Sequence, residues 1–280
     1  MPIRIKSYKE LTFTDDFMFC NILQSSPDIC KDLVELILNR KVASINMPET
    51  QKSVRISPDS KGVRFDVYFE DEDTIYDIEM QTTMRHNIPR RSRYYQGVAD
   101  INQIRSGTDY SELKNSYIIF ISTFDMFGLG LPIYTFSNVC SENKALALDD
   151  GTFKVFINAT SRQTNISQDL RNFLDYLLSG LPCSELTDRI ENKLGRARIN
   201  QDWEVSYMTL EDKYKEMFED GKEEGLAEGE AKGRQEGEAT ARQTLVSSLY
   251  RNGLSVAEIV ALAELTEDEV TRIVHSIAAK

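Results

Sequence analysis

Between Val63 and Gln81 the chain reads VRFDVYFEDEDTIYDIEMQ, two runs of alternating apolar and polar residues joined by an acidic turn. Val63, Phe65, Val67 and Phe69 share one parity, and Tyr76, Ile78 and Met80 share another, so the pattern predicts a β-hairpin with one apolar and one polar face on each strand. Asp66 lies on the polar face of the first strand, and Asp77, Glu79 and Gln81 on that of the second. A tip at Asp71-Glu72 places Asp66 opposite Asp77, with Glu79 one diagonal step away. A one-residue slip would move Asp66 to the back of the sheet.

The rest of the pattern supplies the hairpin's neighbours. Thr14 opens a predicted helix to Leu23 that buries Phe13, Phe17 and Leu23, and Pro27 opens a second, ending near Asn39. Val42–Met47 and Lys52–Ile56 read as short strands. After the hairpin, Pro89 starts a helix that runs to Ser106 and stops at Gly107. Its spacing predicts Arg91, Tyr95, Val98 and Asn102 on one stripe, and Tyr94, Val98, Ile101 and Ile104 against the sheet. Ser116–Thr123 is continuously apolar, as expected of a strand buried on both faces. Ile133–Val139 reads as a strand, Phe153–Ile157 as an edge strand, and 170–178, 186–198 and 203–218 as helices.

From Gly221 to Gly237 glycine recurs every fourth residue among Glu, Lys, Ala, Arg and Gln. Four residues slightly exceed a helical turn, so these glycines would form a winding ridge, although each costs a helix about 1 kcal/mol relative to Ala. A marginal exposed helix that persists by self-association and a flexible spacer both suit this stretch. Beyond it, two short helices around Leu265-Thr266 resemble a helix-turn-helix. The second opens on Glu267-Asp268-Glu269, which would repel phosphate, so a packing or assembly module is the better reading. The expected organisation is a core over 1–160, a helical extension packed on it over 161–219, a charged linker over 220–241 and a small helical module over 242–280.

Composition changes this picture in one respect. The formal net charge is −12, but residues 204–280 hold 17 of the 45 acidic residues and 9 of the 33 basic ones. The acidity therefore belongs largely to the tail, and the core can carry a local basic surface. Arg85, His86, Arg90, Arg91 and Arg93, with Tyr94 and Tyr95 behind them, form the most basic stretch. These arginines either draw in a phosphate backbone or pair with the acidic turn Glu70–Asp73. The four cysteines have no CxxC spacing and only His86 and His275 could join them, so the pattern predicts no zinc site. The first residues lack the apolar core of a signal peptide, and no run is long enough for a bilayer. A cytoplasmic protein that does not engage a membrane is expected.

Two carboxylates on neighbouring strands with an amide two residues on, Asp66 with Glu79 and Gln81, could hold a hard divalent ion and orient a water, the needs of metal-dependent phosphodiester hydrolysis. An exposed acidic hairpin with no ligand uses the same residues. The hairpin, together with TFTDDFMF at 12–19, RRSRYYQGVADINQIRSGTDYSEL at 90–113, YIIFISTFD at 117–125 and the glycine-spaced tail, resembles the Rpn family of recombination-promoting nucleases. These are also described as transposases of the PD-(D/E)XK superfamily. The resemblance covers about the first two hundred residues. It implies an α/β fold with a restriction-endonuclease-like core, a mixed central sheet flanked by helices, and a C-terminal helical extension.

It also implies catalytic roles for Asp66, Glu79 and Gln81, with Mg²⁺ or Mn²⁺ on Asp66 and Glu79, and supporting roles for Asp16, Arg91, Tyr95 and Gln103. Two positions depart from the family: Gln81 stands where it has Lys, and Cys20 replaces the Lys that follows the acidic residue and Phe of the first helix. Asp16 itself also suits a simple first-turn helix carboxylate. The implied function is a DNA endonuclease of low sequence specificity acting in recombination or DNA transfer. The alternatives are a catalytically weak nuclease fold that assembles as a homo-oligomer through its tail, and a helix-turn-helix regulator.

Overall fold

The computed structural model describes residues 6–42, 45–46, 48–54, 62–104 and 106–278. The chain divides into two compact units, one ending at Met208 and the other starting at Thr209.

The first unit is built on one six-stranded mixed sheet: β1 (Glu49–Val54), β2 (Val63–Glu70), β3 (Thr74–Gln81), β4 (Asn115–Ser122), β5 (Ile133–Phe136) and β6 (Thr152–Asn158), in the spatial order β1-β2-β3-β4-β6-β5. β1, β2 and β3 pair antiparallel, β3 with β4 and β4 with β6 parallel, and β5 with β6 antiparallel. The central strands carry apolar residues on both faces because helices cover both sides of a parallel pair. Every residue of β3 is buried.

Against one face lie α1 (Asp16–Gln24), α2 (Pro27–Leu38), α4 (Gln168–Ser179) and α5 (Glu185–Ala197), whose side chains share a core with Val67, Phe69, Tyr76, Ile78 and Met80. Trp203 and Tyr207 join this core. α3 (Ile88–Gln103) covers the other face, where Ile88, Tyr95, Val98 and Ala99 meet Phe65, Tyr68, Ile75, Ile118 and Phe120. Local signals set the helix ends. Pro27 occupies the first turn of α2 and Asn39 closes it at φ 50°, while the side chains of Ser167 and Ser184 cap α4 and α5.

Several expectations shift. α1 starts after Asp15 because that carboxylate takes bonds from the backbone and hydroxyl of Thr12, both at 2.8 Å, so Thr14 does not cap the helix. β6 lies inside the sheet and β5 is the edge, shorter than expected. Val42, Ile45 and Asn46 form no strand, and the other residues of Val42–Met47 and the end of Lys52–Ile56 fall largely outside the described residues. On α3, Tyr94 and Ile101 are exposed, whereas the polar Ser92 and Gln96 are buried. Gln96 is held there by the hydroxyl of Ser116 on β4, and Ser92 donates to the Pro89 carbonyl at 2.9 Å.

The second unit contains most of α6 (Gln201–Arg251), then α7 (Val256–Ala263) and α8 (Glu267–Ala278). The glycine-spaced stretch is thus helical, and a Cβ at Gly221, Gly225, Gly229, Gly233 or Gly237 would meet nothing within 4 Å. Val246, Ile259, Val270 and Val274 form a small core, and reciprocal Ser255–Glu258 and Thr266–Glu269 bonds start the two short helices. Among the described residues no helix is long and apolar enough to cross a membrane.

Candidate functional site

The hairpin turns at Glu72-Asp73, where the Asp71 amide donates to the Thr74 carbonyl at 2.9 Å. The Asp71 carboxylate in turn takes the amides of Asp73 and Thr74 at 3.0 and 2.8 Å. Tyr68 therefore pairs with Asp77, two steps from the expected register. A two-step shift preserves the parity of the strands, so Asp77, Glu79 and Gln81 keep their common face.

Alternation is interrupted at Asp66. Phe65 belongs to the core under α3, whereas Val67, two residues on, belongs to the core on the opposite face. The β1–β2 register pairs Thr50 with Val67 and Lys52 with Phe65 but skips the step between them, where Gln51 has a left-handed φ of 52°. A local break of this kind re-aims one side chain. The Asp66 carboxyl accordingly lies with Asp16 and Cys20 of α1, one ligand atom from each of the three falling within 4.8 Å of the others. Asp66 also accepts from the Met80 amide at 3.3 Å, and Asp16 faces Arg64 at 3.6 Å.

Glu79 has different company. One of its oxygens accepts from the Asp66 backbone amide at 3.0 Å and the other is paired with the Arg91 guanidinium. Arg91 also donates to Gln81 Oε1 at 3.3 Å and to the Tyr95 hydroxyl at 2.9 Å, and it lies over the Tyr95 ring at 4.9 Å. The other half of the Gln81 amide donates to the Met80 carbonyl at 2.8 Å. The structure thus joins Asp66, Glu79, Gln81, Arg91 and Tyr95 in one network, with Asp16 reaching it from α1. It does not bring in Gln103, whose amide serves the Lys114 backbone at 2.8 Å and Asp100 at 3.5 Å.

Burial governs the electrostatics. Asp66, 7% exposed, is pushed up to about 7 by desolvation, with the charge of Asp16 adding to it. Desolvation also holds Glu79 and Asp77 well above the ordinary carboxylate range; Asp66 adds to it at Glu79, Glu79 adds to it at Asp77, and Arg91 opposes both shifts without cancelling them. Both oxygens of Asp77 are buried and, among the described residues, have no hydrogen-bond partner. Four carboxyls, those of Asp16, Asp66, Asp77 and Glu79, therefore share this end of the sheet with the two guanidiniums of Arg64 and Arg91. This donor set suits a divalent cation, whose charge would relieve the excess of acids.

Residues 14–130 match the family described as PD-(D/E)XK nuclease family transposase. The chain is similar to that family over this segment, 117 of its 280 residues. Compared with curated proteins and with solved structures, the chain finds no match.

The PD-(D/E)XK segment runs from just before α1 to beyond β4 and so holds every residue of the network. The Lys that the resemblance expects at position 81 is absent, yet a cation still stands beside the acids, because Arg91 reaches from α3 to Glu79 and Gln81. Its neighbours Arg85, Arg90 and Arg93 are exposed and, among the described residues, form no ion pair, while Glu70 of the acidic turn pairs with Lys114 at 2.9 Å. The alternative of arginines satisfied by that turn is therefore not what the fold adopts. Sequence reasoning passed over Cys20 as a neighbour of the acids, although its i+4 spacing from Asp16 already set both on one side of α1.

Proposed function

We propose that this protein is a DNA endonuclease of low sequence specificity that depends on Mg²⁺ or Mn²⁺ and serves recombination or DNA transfer in the cytoplasm. The observation that carries this reading is the convergence of Asp16, Asp66, Glu79 and Arg91 on one end of the β2–β3 hairpin. Asp66 and Asp16, with Glu79 beside them, would hold the cation, which when bound supplies an activated hydroxide and charge stabilisation at phosphorus. Gln81 would orient the attacking water through its amide oxygen once Arg91 releases it. Arg91, already charged and directed at the acids, can exchange Glu79 for a phosphate oxygen, and exposed Arg85, Arg90 and Arg93 draw the backbone toward it. Purified protein should nick supercoiled plasmid with Mg²⁺ or Mn²⁺ and stop on chelation, and Asp66→Ala should abolish nicking. Undiminished cleavage by Asp66→Ala would remove the assignment.

A second reading, a weak nuclease that acts by assembly, is favoured by the occupation of Glu79 and Gln81 by Arg91 and by the exposed tail. Tyr214, Met217 and Phe218 are exposed on α6 just before the open glycine ridge. Residues 211–230 carry nine acidic and three basic side chains, against two and four in 231–251, so two such helices would complement one another best antiparallel. If the ridge is a site of self-association, replacing its five glycines by Ala separates the copies in sedimentation. An unchanged mass, with a helix made more stable by about 1 kcal/mol per site, would mark the ridge as solvent-facing only.

A further inference from the structure

The proposed metal site departs from an all-oxygen one at Cys20. Cys20 is 1% exposed and follows Asp16 by one turn of α1, and its Sγ donates to Asp16 Oδ1 at 3.7 Å. The same sulfur lies within 4.8 Å of an Asp66 carboxylate oxygen, which comes from a strand far along the chain. A thiolate and a carboxylate sharing one tetrahedral ion at ordinary bond lengths stand about 3.5 Å apart, so the sulfur already sits close to where a ligand would. Among the described residues this is the one group of three or more metal-ligating side chains so clustered. It draws on two separate elements.

We propose that Cys20 is a ligand of the cation held by Asp16 and Asp66, and that its sulfur selects against Mg²⁺ in favour of Mn²⁺ and the more thiophilic Co²⁺ and Zn²⁺. This inference rests on the nuclease-site reading, because it assumes that the acids hold a cation. Magnesium demands near-ideal octahedral oxygen coordination, whereas a thiolate favours the softer ions. On binding, the S–H bond is exchanged for a sulfur–metal bond and the proton leaves to solvent. A lysine at this position, as the resemblance expects, would instead place a positive charge beside the ion. The cysteine thus alters which ion the site accepts, with the two aspartates left in place.

The test is a Co²⁺ titration of the full-length protein followed by near-ultraviolet absorption. The expected result is an intense sulfur-to-cobalt charge-transfer band that saturates at one equivalent, is lost in Cys20→Ser, and is displaced by Zn²⁺ far more readily than by Mg²⁺. In Cys20→Ser the preference for Mn²⁺ over Mg²⁺, measured by calorimetry, should narrow by roughly tenfold or more. Asp16→Asn, at a position that reaches solvent, provides a variant that does not touch the core, and it should shift the band to roughly tenfold higher cobalt. Stoichiometric Co²⁺ binding without the band, a band that survives Cys20→Ser, or a titration indifferent to Asp16→Asn would each overturn the role of the sulfur while leaving the nuclease reading standing. Absence of Co²⁺, Mn²⁺ and Mg²⁺ binding altogether would overturn both.

Discussion

The two acids on which the site depends, Asp66 and Glu79, occupy adjoining strands and are both buried, yet their surroundings differ in kind. Glu79 is paired from the α3 side with the Arg91 guanidinium, which also bonds the Gln81 amide and the Tyr95 phenol. Asp66 meets, on the α1 side, another carboxylate and a thiol. One acid has an ion-pair partner of its own, and the other has beside it a second acid, Asp16, that shares the nearby Arg64. Around Glu79 the fold supplies a counter-charge of its own, whereas around Asp66 and Asp16 two acids meet the single guanidinium of Arg64, and it is there that the proposed cation would bind.

The sharpest way to break this comparison is to remove the counter-charge from Glu79. Arg91→Ala should destabilise the protein by about 1–3 kcal/mol, the cost of leaving a buried carboxyl without its hydrogen-bond partner, because burial lets Glu79 take up a proton once the guanidinium is gone. Chemical denaturation measures it, and a loss well under about 1 kcal/mol would mean that Arg91 is not what satisfies Glu79.

A smaller effect concerns Asp66 and pH. Its folded value of about 7 lies above the ordinary 3.8, so the folded state binds the proton more tightly than the unfolded chain. Its contribution to stability is therefore full below pH 4 and lost as pH rises toward 7. Metal-free protein should melt progressively lower across that window, and Asp66→Asn should flatten the slope and raise the melting temperature at pH 7. An identical slope in the variant would show that Asp66 ionises without penalty.

The smallest change in stability is expected of Asp16→Asn, under about 0.5 kcal/mol because its ion pair with Arg64 is exposed on both sides. Divalent-ion affinity should nevertheless fall. If stability dropped and affinity held, the α1 side would be structural and the contrast with Glu79 would vanish.

Much of this site could be read in the sequence because strand parity is local. Asp77, Glu79 and Gln81 had to share a face, and the register error of two residues left that face unchanged. What escaped depended on distant partners. The interruption at Asp66 arises where β1 presents Gln51 in a left-handed conformation, a pairing that no pattern within β2 reveals. Gln103 was assigned to the site by resemblance, but it lies twelve residues after Arg91 on α3, about 18 Å further along the axis, and serves the other end of the sheet. Helical spacing set Tyr94 and Ile101 against the sheet, where Ser92 and Gln96 are buried instead, because the partners that satisfy them, Pro89 and Ser116, are not evident from spacing. β6 read as an edge because the short strand that covers it, β5, follows a glycine-containing loop, and nothing in its sequence tells which side of β6 it joins.

The central claim is that the acids from α1 and the hairpin bind one divalent ion. Crystals grown with Mn²⁺ and measured for anomalous scattering test it most directly. The account predicts a single strong peak bonded to Asp66 and Asp16, absent from Asp66→Ala crystals. Well-ordered crystals with no peak at these side chains, or a peak that persists without Asp66, would contradict it.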